Sequence, residues 1–157
     1  MAFAVSVQSG PFDVSAEIAA VSRGRHDVGA VASFVGLVRE LAPNDSTAAG
    51  KLSAMTLEHY PGMTEKALED IVGQARSRWE LLGVRVIHRY GRLEPGDAIV
   101  LVLVAASHRN EAFAACEFIM DFLKTRAPFW KKEETPQGGH WVDARETDDA
   151  AAARWET

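Results

Sequence analysis

A single cysteine, Cys116, is all the thiol this 157-residue chain contains. That excludes an intrachain disulfide framework and any cysteine-based zinc site. A basic surplus is also missing: 17 Lys and Arg stand against 22 Asp and Glu, giving a net charge of −5, which argues against a generic nucleic-acid binder. The start, Met-Ala-Phe-Ala-Val, has no basic segment followed by a long apolar run, so no signal peptide is expected. No apolar run reaches membrane-spanning length, and a soluble, cytoplasmic protein is the expectation. The histidines (His26, His59, His88, His108, His140) show no His-x-x-x-His or His-Glu-x-x-His spacing, so a metal site has no support. Gly-x-Gly-x-x-Gly, P-loop and nucleophile-elbow patterns are absent as well.

What is present fits one domain over residues 1–157, with a flexible loop at about 41–51 and a tail at about 147–157. Alternation predicts strands over Phe3 to Val7, Val28 to Val38, Leu52 to His59 and Val84 to His88. Asp13 or Ser15 can cap a short helix through Val21. A longer helix opens at Thr64, with Leu68, Ile71, Val72, Ala75 and Trp79 on one stripe. Ala98 to Ala106, nearly all apolar, reads as a central strand covered on both faces. Ser107 or Asn110 can cap the next helix, whose stripe is Phe113, Cys116, Ile119, Met120 and Leu123. A short strand, His140 to Ala144, and an alanine-rich helix, Asp148 to Trp155, close the chain. The expected class is α+β: five to seven strands in a mixed or antiparallel sheet packed with two main helices.

The chemistry concentrates in Asp121 to Glu133, where Lys124, Arg126, Lys131 and Lys132 are interleaved with Phe129 and Trp130 and broken by Pro128. Proline disfavours helix at the residue before it, so the helix carrying Lys124 should end near Ala127, with Lys131 projecting from the next segment. Two readings stand. The cations complement the negative end of a helix dipole, or two lysines from different elements converge on one anion beside an aromatic wall. A lysine crowded by the other cations and desolvated by Trp130 would have a lowered pKa, suiting it to acid/base or nucleophilic work. His108 and Arg109 lie by the free N–H groups at the other end of the same helix, as an anion site or as an exposed cap and surface cation. At 1.5 Å per residue a helix of ~16 residues is ~24 Å long. The two clusters meet only if the chain folds back or a second protomer supplies one of them. Cys116, on the apolar stripe, reads as a buried structural thiol.

Five stretches carry a family likeness: Leu57-Glu-His-Tyr-Pro-Gly-Met-Thr-Glu65, Val86-Ile-His-Arg-Tyr-Gly91, Ser107-His-Arg109, the block Phe118-Ile-Met-Asp-Phe-Leu-Lys-Thr-Arg-Ala-Pro-Phe-Trp-Lys-Lys-Glu133, and Trp141-Val-Asp-Ala-Arg145. Spanning roughly residues 28 to 146, they resemble the catalytic (large) subunit of molybdopterin synthase. The resemblance implies a single domain of α/β hammerhead type and a homodimer. A small ubiquitin-like sulfur-carrier subunit binds at each end, making a heterotetramer. The carrier's Gly-Gly tail, as a thiocarboxylate, delivers two sulfurs to cyclic pyranopterin monophosphate to form the molybdopterin dithiolene, with no further cofactor. By motif, Lys124 and Lys131 match the catalytic lysines. Arg39, His108, Arg109, Lys132 and Glu133 match substrate-binding positions, and Arg145 matches an arginine contributed by the neighbouring protomer. Leu37 stands where the family often has a lysine. A non-catalytic binding module and a ligand-sensing domain are the rival readings, separable from the enzyme by turnover.

Overall fold

The computed structural model describes residues 2–40, 54–135, 138–142 and 146–156. Along the chain run β1 (Phe3–Gln8), α1 (Val14–Ser22), β2 (Ala30–Leu37), β3 (Ala54–His59), α2 (Met63–Arg78), β4 (Gly83–Arg89), β5 (Gly91–Leu93), β6 (Ala98–Ala106), α3 (Arg109–Arg126), β7 (Phe129–Thr135), β8 (Gly138–Val142) and α4 (Glu146–Ala153). A 3₁₀ turn, Arg154–Glu156, follows α4. The expected loop at 41–51 lies outside the described residues.

Two four-stranded sheets form, with orders β1-β4-β6-β2 and β5-β3-β7-β8. In the first, β6 lies antiparallel to β4 and β2, while β1 joins β4 in parallel. The second is antiparallel throughout. This is the mixed, helix-packed α+β architecture of the hammerhead type. The eight strands among the described residues exceed the expected five to seven, because β5 and β7 were not foreseen.

The apolar run of β6 explains itself by alternation. Val100, Val102, Val104 and Ala106 face the core made with α2 and α3, while Leu101 and Leu103 join Ile87 and the residues of α1 on the other side. Both faces are covered, so nothing polar is needed in the strand. Each such fully buried Val, Leu or Ile side chain contributes about 1.5–3 kcal/mol. The α2 stripe holds as expected, with Leu68, Ile71, Val72 and Ala75 buried. In α3 the buried set is Ala112, Ala115, Cys116, Phe118, Ile119, Met120, Phe122 and Leu123, and Phe113 is 65% exposed. Phe113 sits about 120° around the helix from Ile119 at ~100° per residue, off the centre of the buried face.

The last described segment clasps α3. Trp155 packs edge-on against Trp79 and Phe118, at 5.7 and 5.5 Å, and its indole N–H donates to Asp121 Oδ2 at 2.7 Å. Arg154 pairs with Glu117 and with Asp121, the latter at 2.9 Å. Arg126 pairs with Glu156 at 3.1 Å. Among the described residues no helix is long and apolar enough to cross a membrane.

Candidate active site

Helix α3 ends where Pro128 predicts. Ala127 is extended (φ −77°, ψ 129°), and the Phe129 N–H donates to its carbonyl at 2.9 Å. Lys124 therefore occupies the last helical turn, exposed, and the chain turns directly into β7. β7 pairs with β3 in the register Phe129↔His59, Trp130↔Glu58, Lys131↔Leu57, Lys132↔Thr56 and Glu133↔Met55.

Strand alternation then sorts the adjacent cations. Phe129, Lys131 and Glu133 share the face of Leu57 and Met55, which with Val38 and Leu93 form a small core. Lys131 Nζ lies 3.5 Å from Glu133 Oε1, and Glu133 is only 8% exposed. Trp130 and Lys132 point to the opposite face, where Trp130 meets Tyr60 edge-on at 4.6 Å. Arg126 is drawn off to Gln74 and Glu156 and lies over the Phe122 ring. The expected crowd of four cations is thus dispersed, leaving Lys124 and Lys131 at the turn.

A stack of rings forms at the same turn. His88, at the end of β4, stacks on Phe129 with centroids 3.8 Å apart, and its Nδ1 lies 2.9 Å from the Arg89 carbonyl. That carbonyl only accepts, so Nδ1 carries the proton. Burial pushes the His88 pKa down to about 4, with the charges of Lys124 and His59 adding to the effect. Lys124 is thereby placed within electrostatic reach of the same ring on which Phe129 stacks. His59 packs on Tyr90 at 4.3 Å, extending the aromatic wall. At the same turn, the Thr64 hydroxyl donates to the Pro128 carbonyl at 3.2 Å and accepts from the Tyr60 N–H at 3.1 Å. Gly62 (φ +85°) makes the preceding turn, in a conformation glycine adopts without strain. No local pattern marks Thr64 or His88, because both act on a turn remote in sequence.

Arg39 follows Val38, which is buried against Met55 and Leu57. This anchors Arg39, itself exposed, beside the sheet that carries Lys131. Leu37 is 55% exposed, so a lysine there would have faced outward. His108 and Arg109 sit at the opposite end of α3, whose 18 residues span about 27 Å at 1.5 Å per residue. One copy of the chain does not bring them to Lys124. His108 itself is the N-cap, without a side-chain capping bond, so neither Ser107 nor Asn110 fills that place. Arg145 lies outside the described residues.

His108 and Arg109 line a cleft of about 470 Å³ with Gly29, Ser107, Asn110 and Glu111. A Cβ at Gly29 would fall 2.1 Å from the Ser107 carbonyl oxygen. Gly29→Ala is accordingly expected to cost about 1–3 kcal/mol by forcing the backbone apart. Urea denaturation checks this, and an unchanged midpoint would count against it. Cys116 is buried with Sγ 3.8 Å from the Val102 carbonyl, and burial raises its pKa to about 11. Such a thiol is a poor nucleophile near neutral pH. Among the described residues no group of three or more His, Cys, Asp or Glu could hold a metal ion.

Comparison with known proteins agrees with this fold. The family model described as MoaE protein matches residues 7–126. A molybdopterin synthase catalytic subunit from Ralstonia nicotianae is 61% identical over 151 residues, covering 96% of this chain and 83% of that one. The solved structure of a molybdopterin biosynthesis MoaE protein from Burkholderia ambifaria MC40-6 superposes with a TM-score of 0.82 at 54% identity, covering 100% of this chain and 99% of that one. The structure of molybdopterin synthase from Staphylococcus aureus gives a TM-score of 0.76 at 28% identity, over 87% of this chain and 95% of that one. With the fold and these relatives in agreement, the chain belongs to the MoaE family of molybdopterin synthase catalytic subunits.

Proposed function

We propose that the chain transfers two sulfurs from the C-terminal thiocarboxylate of a small ubiquitin-like carrier to cyclic pyranopterin monophosphate, forming the molybdopterin dithiolene, with Lys124 and Lys131 as its catalytic residues. The observation that supports this is that Lys124, at the end of α3, lies within electrostatic reach of the His88 ring, while Lys131 lies two residues beyond Phe129, the ring's stacking partner, on the same face of β7. A phosphate, a thiocarboxylate and the charge developing during transfer all favour fixed ammonium donors. Lys124 acts at the thiocarboxylate carbonyl or as proton donor. Lys131, held by Glu133, stabilises charge on the pterin. Arg39, next to Val38 of the same small core, supplies a further cation. The sulfur arrives on the carrier's tail, so the inert Cys116 is consistent with the reaction, which needs no resident cofactor.

The separation along α3 favours a homodimer. His108 and Arg109 contribute to a substrate site only if another copy brings that helix end to the lysines, as the neighbouring protomer's Arg145 would. With one carrier at each end this makes a heterotetramer, working in the cytoplasm.

The test is turnover. Purified chain, thiocarboxylated carrier and cyclic pyranopterin monophosphate are mixed, and dithiolene-bearing pterin is quantified. Lys124→Ala is expected to lower the rate by about 10²–10³-fold, the scale for losing a donor to a developing charge. Near-native transfer by that variant would overturn the assignment. No product from the native chain despite tight carrier binding would favour a binding module.

A further inference from the structure

Two buried polar residues meet the same turn from different elements, α2 and β4. Thr64, fully buried at the start of α2, donates to the Pro128 carbonyl. His88, 6% exposed on β4, stacks on the adjacent Phe129. Neither can leave its place cheaply. The Thr64 hydroxyl is committed as donor and acceptor at once, and the His88 ring is oriented by the Arg89 carbonyl. The clamped residues, Pro128 and Phe129, form the link from the last turn of α3 to β7, so their position sets where Lys124 stands relative to Lys131.

We propose that Thr64 and His88 are positioning residues that hold the Pro128–Phe129 turn and thereby fix the spacing of the two lysines for sulfur transfer. The inference rests on the reading of Lys124 and Lys131 as the catalytic pair. Neither residue touches substrate. Thr64 acts through the Pro128 carbonyl and His88 through the Phe129 ring, and a shift of about 1 Å in a reacting group can cost on the order of 10²-fold in rate.

The experiment measures kcat, KM for cyclic pyranopterin monophosphate and carrier affinity for Thr64→Val and His88→Ala. The conservative variants Thr64→Ser and His88→Phe and the core variant Ile71→Val are run beside them. Thr64→Val keeps shape and loses the hydroxyl, whereas serine restores it. Phenylalanine restores the ring against Phe129 without the imidazole. The expected result is a fall in kcat of about tenfold to a hundredfold for Thr64→Val and His88→Ala, with KM and carrier affinity within about threefold of native. Thr64→Ser and His88→Phe recover most of the rate. Ile71→Val, which loosens the core away from the turn, leaves kcat unchanged. Native kcat in Thr64→Val and His88→Ala would overturn the proposal. So would an equal loss in Ile71→Val, or no recovery in the two conservative variants. Should His88→Ala fail to fold, the Thr64 pair decides by itself. Lys124→Ala and Lys131→Ala separate the two levels. If they too keep the native rate, the catalytic pair itself is wrong and the clamp with it; if they lose it while the clamp variants do not, only the clamp is wrong.

Discussion

Lys131→Ala lowers sulfur transfer by about 10²–10³-fold, whereas Lys132→Ala, one residue on, lowers it by less than about threefold, as for a charge outside the site. The contrast follows from pleating. Lys131 shares its face with Phe129, Glu133 and the buried Leu57, while Lys132 shares the other with Trp130 and Thr56. The family likeness gives both lysines to the site, and the strand turns their side chains to opposite faces. Removing Lys131 also strips the nearby cation from Glu133, a carboxylate left nearly buried. A loss of stability of about 1–3 kcal/mol should therefore accompany the loss of rate. Lys131→Ala combined with Glu133→Gln separates the two effects, restoring the urea midpoint and leaving transfer low. Equal rate losses at positions 131 and 132 would contradict the register-based assignment.

Acidification removes about 3 kcal/mol of stability through His88 alone as the pH falls from 7 to 4. The folded pKa, about 4, lies below the ordinary value of 6.5. Between those values the unfolded chain takes up the proton and the folded chain does not. The stabilising difference is complete above pH 6.5 and is lost progressively as the pH approaches 4. Burial is the main cause. The groups that add to it face the ring from other elements: Lys124 from α3 and His59 from β3. Urea denaturation at pH 7 and pH 4, on the native chain and on His88→Phe, isolates this contribution from carboxylates that titrate in the same range. The native midpoint should fall more steeply than that of His88→Phe. Parallel slopes would show that His88 is not held neutral.

Much of this was legible in the chain itself, and the residues show why. Pro128 ends α3 at Ala127 because its ring acts on the immediate neighbour, a purely local effect. The unbroken run of β6 announced a strand covered on both sides, and α2 follows its own period. The likeness around Lys124 and Lys131 carried the fold and the activity together. What escaped was set by distant partners. β7 is a strand because β3 pairs with it, and the short β5 exists for the same reason. Phe113 was assigned to a stripe it does not join, because apolar character alone does not say where a helix meets its neighbours. Thr64 and His88 acquire their contacts only when three elements converge on one turn.

The alternation along β7 imposes a rule of parity on this part of the gene. An inserted or deleted residue between Lys124 and the start of the β3–β7 ladder leaves the ladder's hydrogen bonds able to form one step out of register. The ladder would survive, but Lys132 or Trp130 would occupy the inward place of Lys131. Changes in even steps keep Lys131 on its own face of the sheet, and odd steps turn it to the other. A single codon lost here would silence the enzyme more completely than most substitutions, while leaving a folded chain still able to compete for its partners.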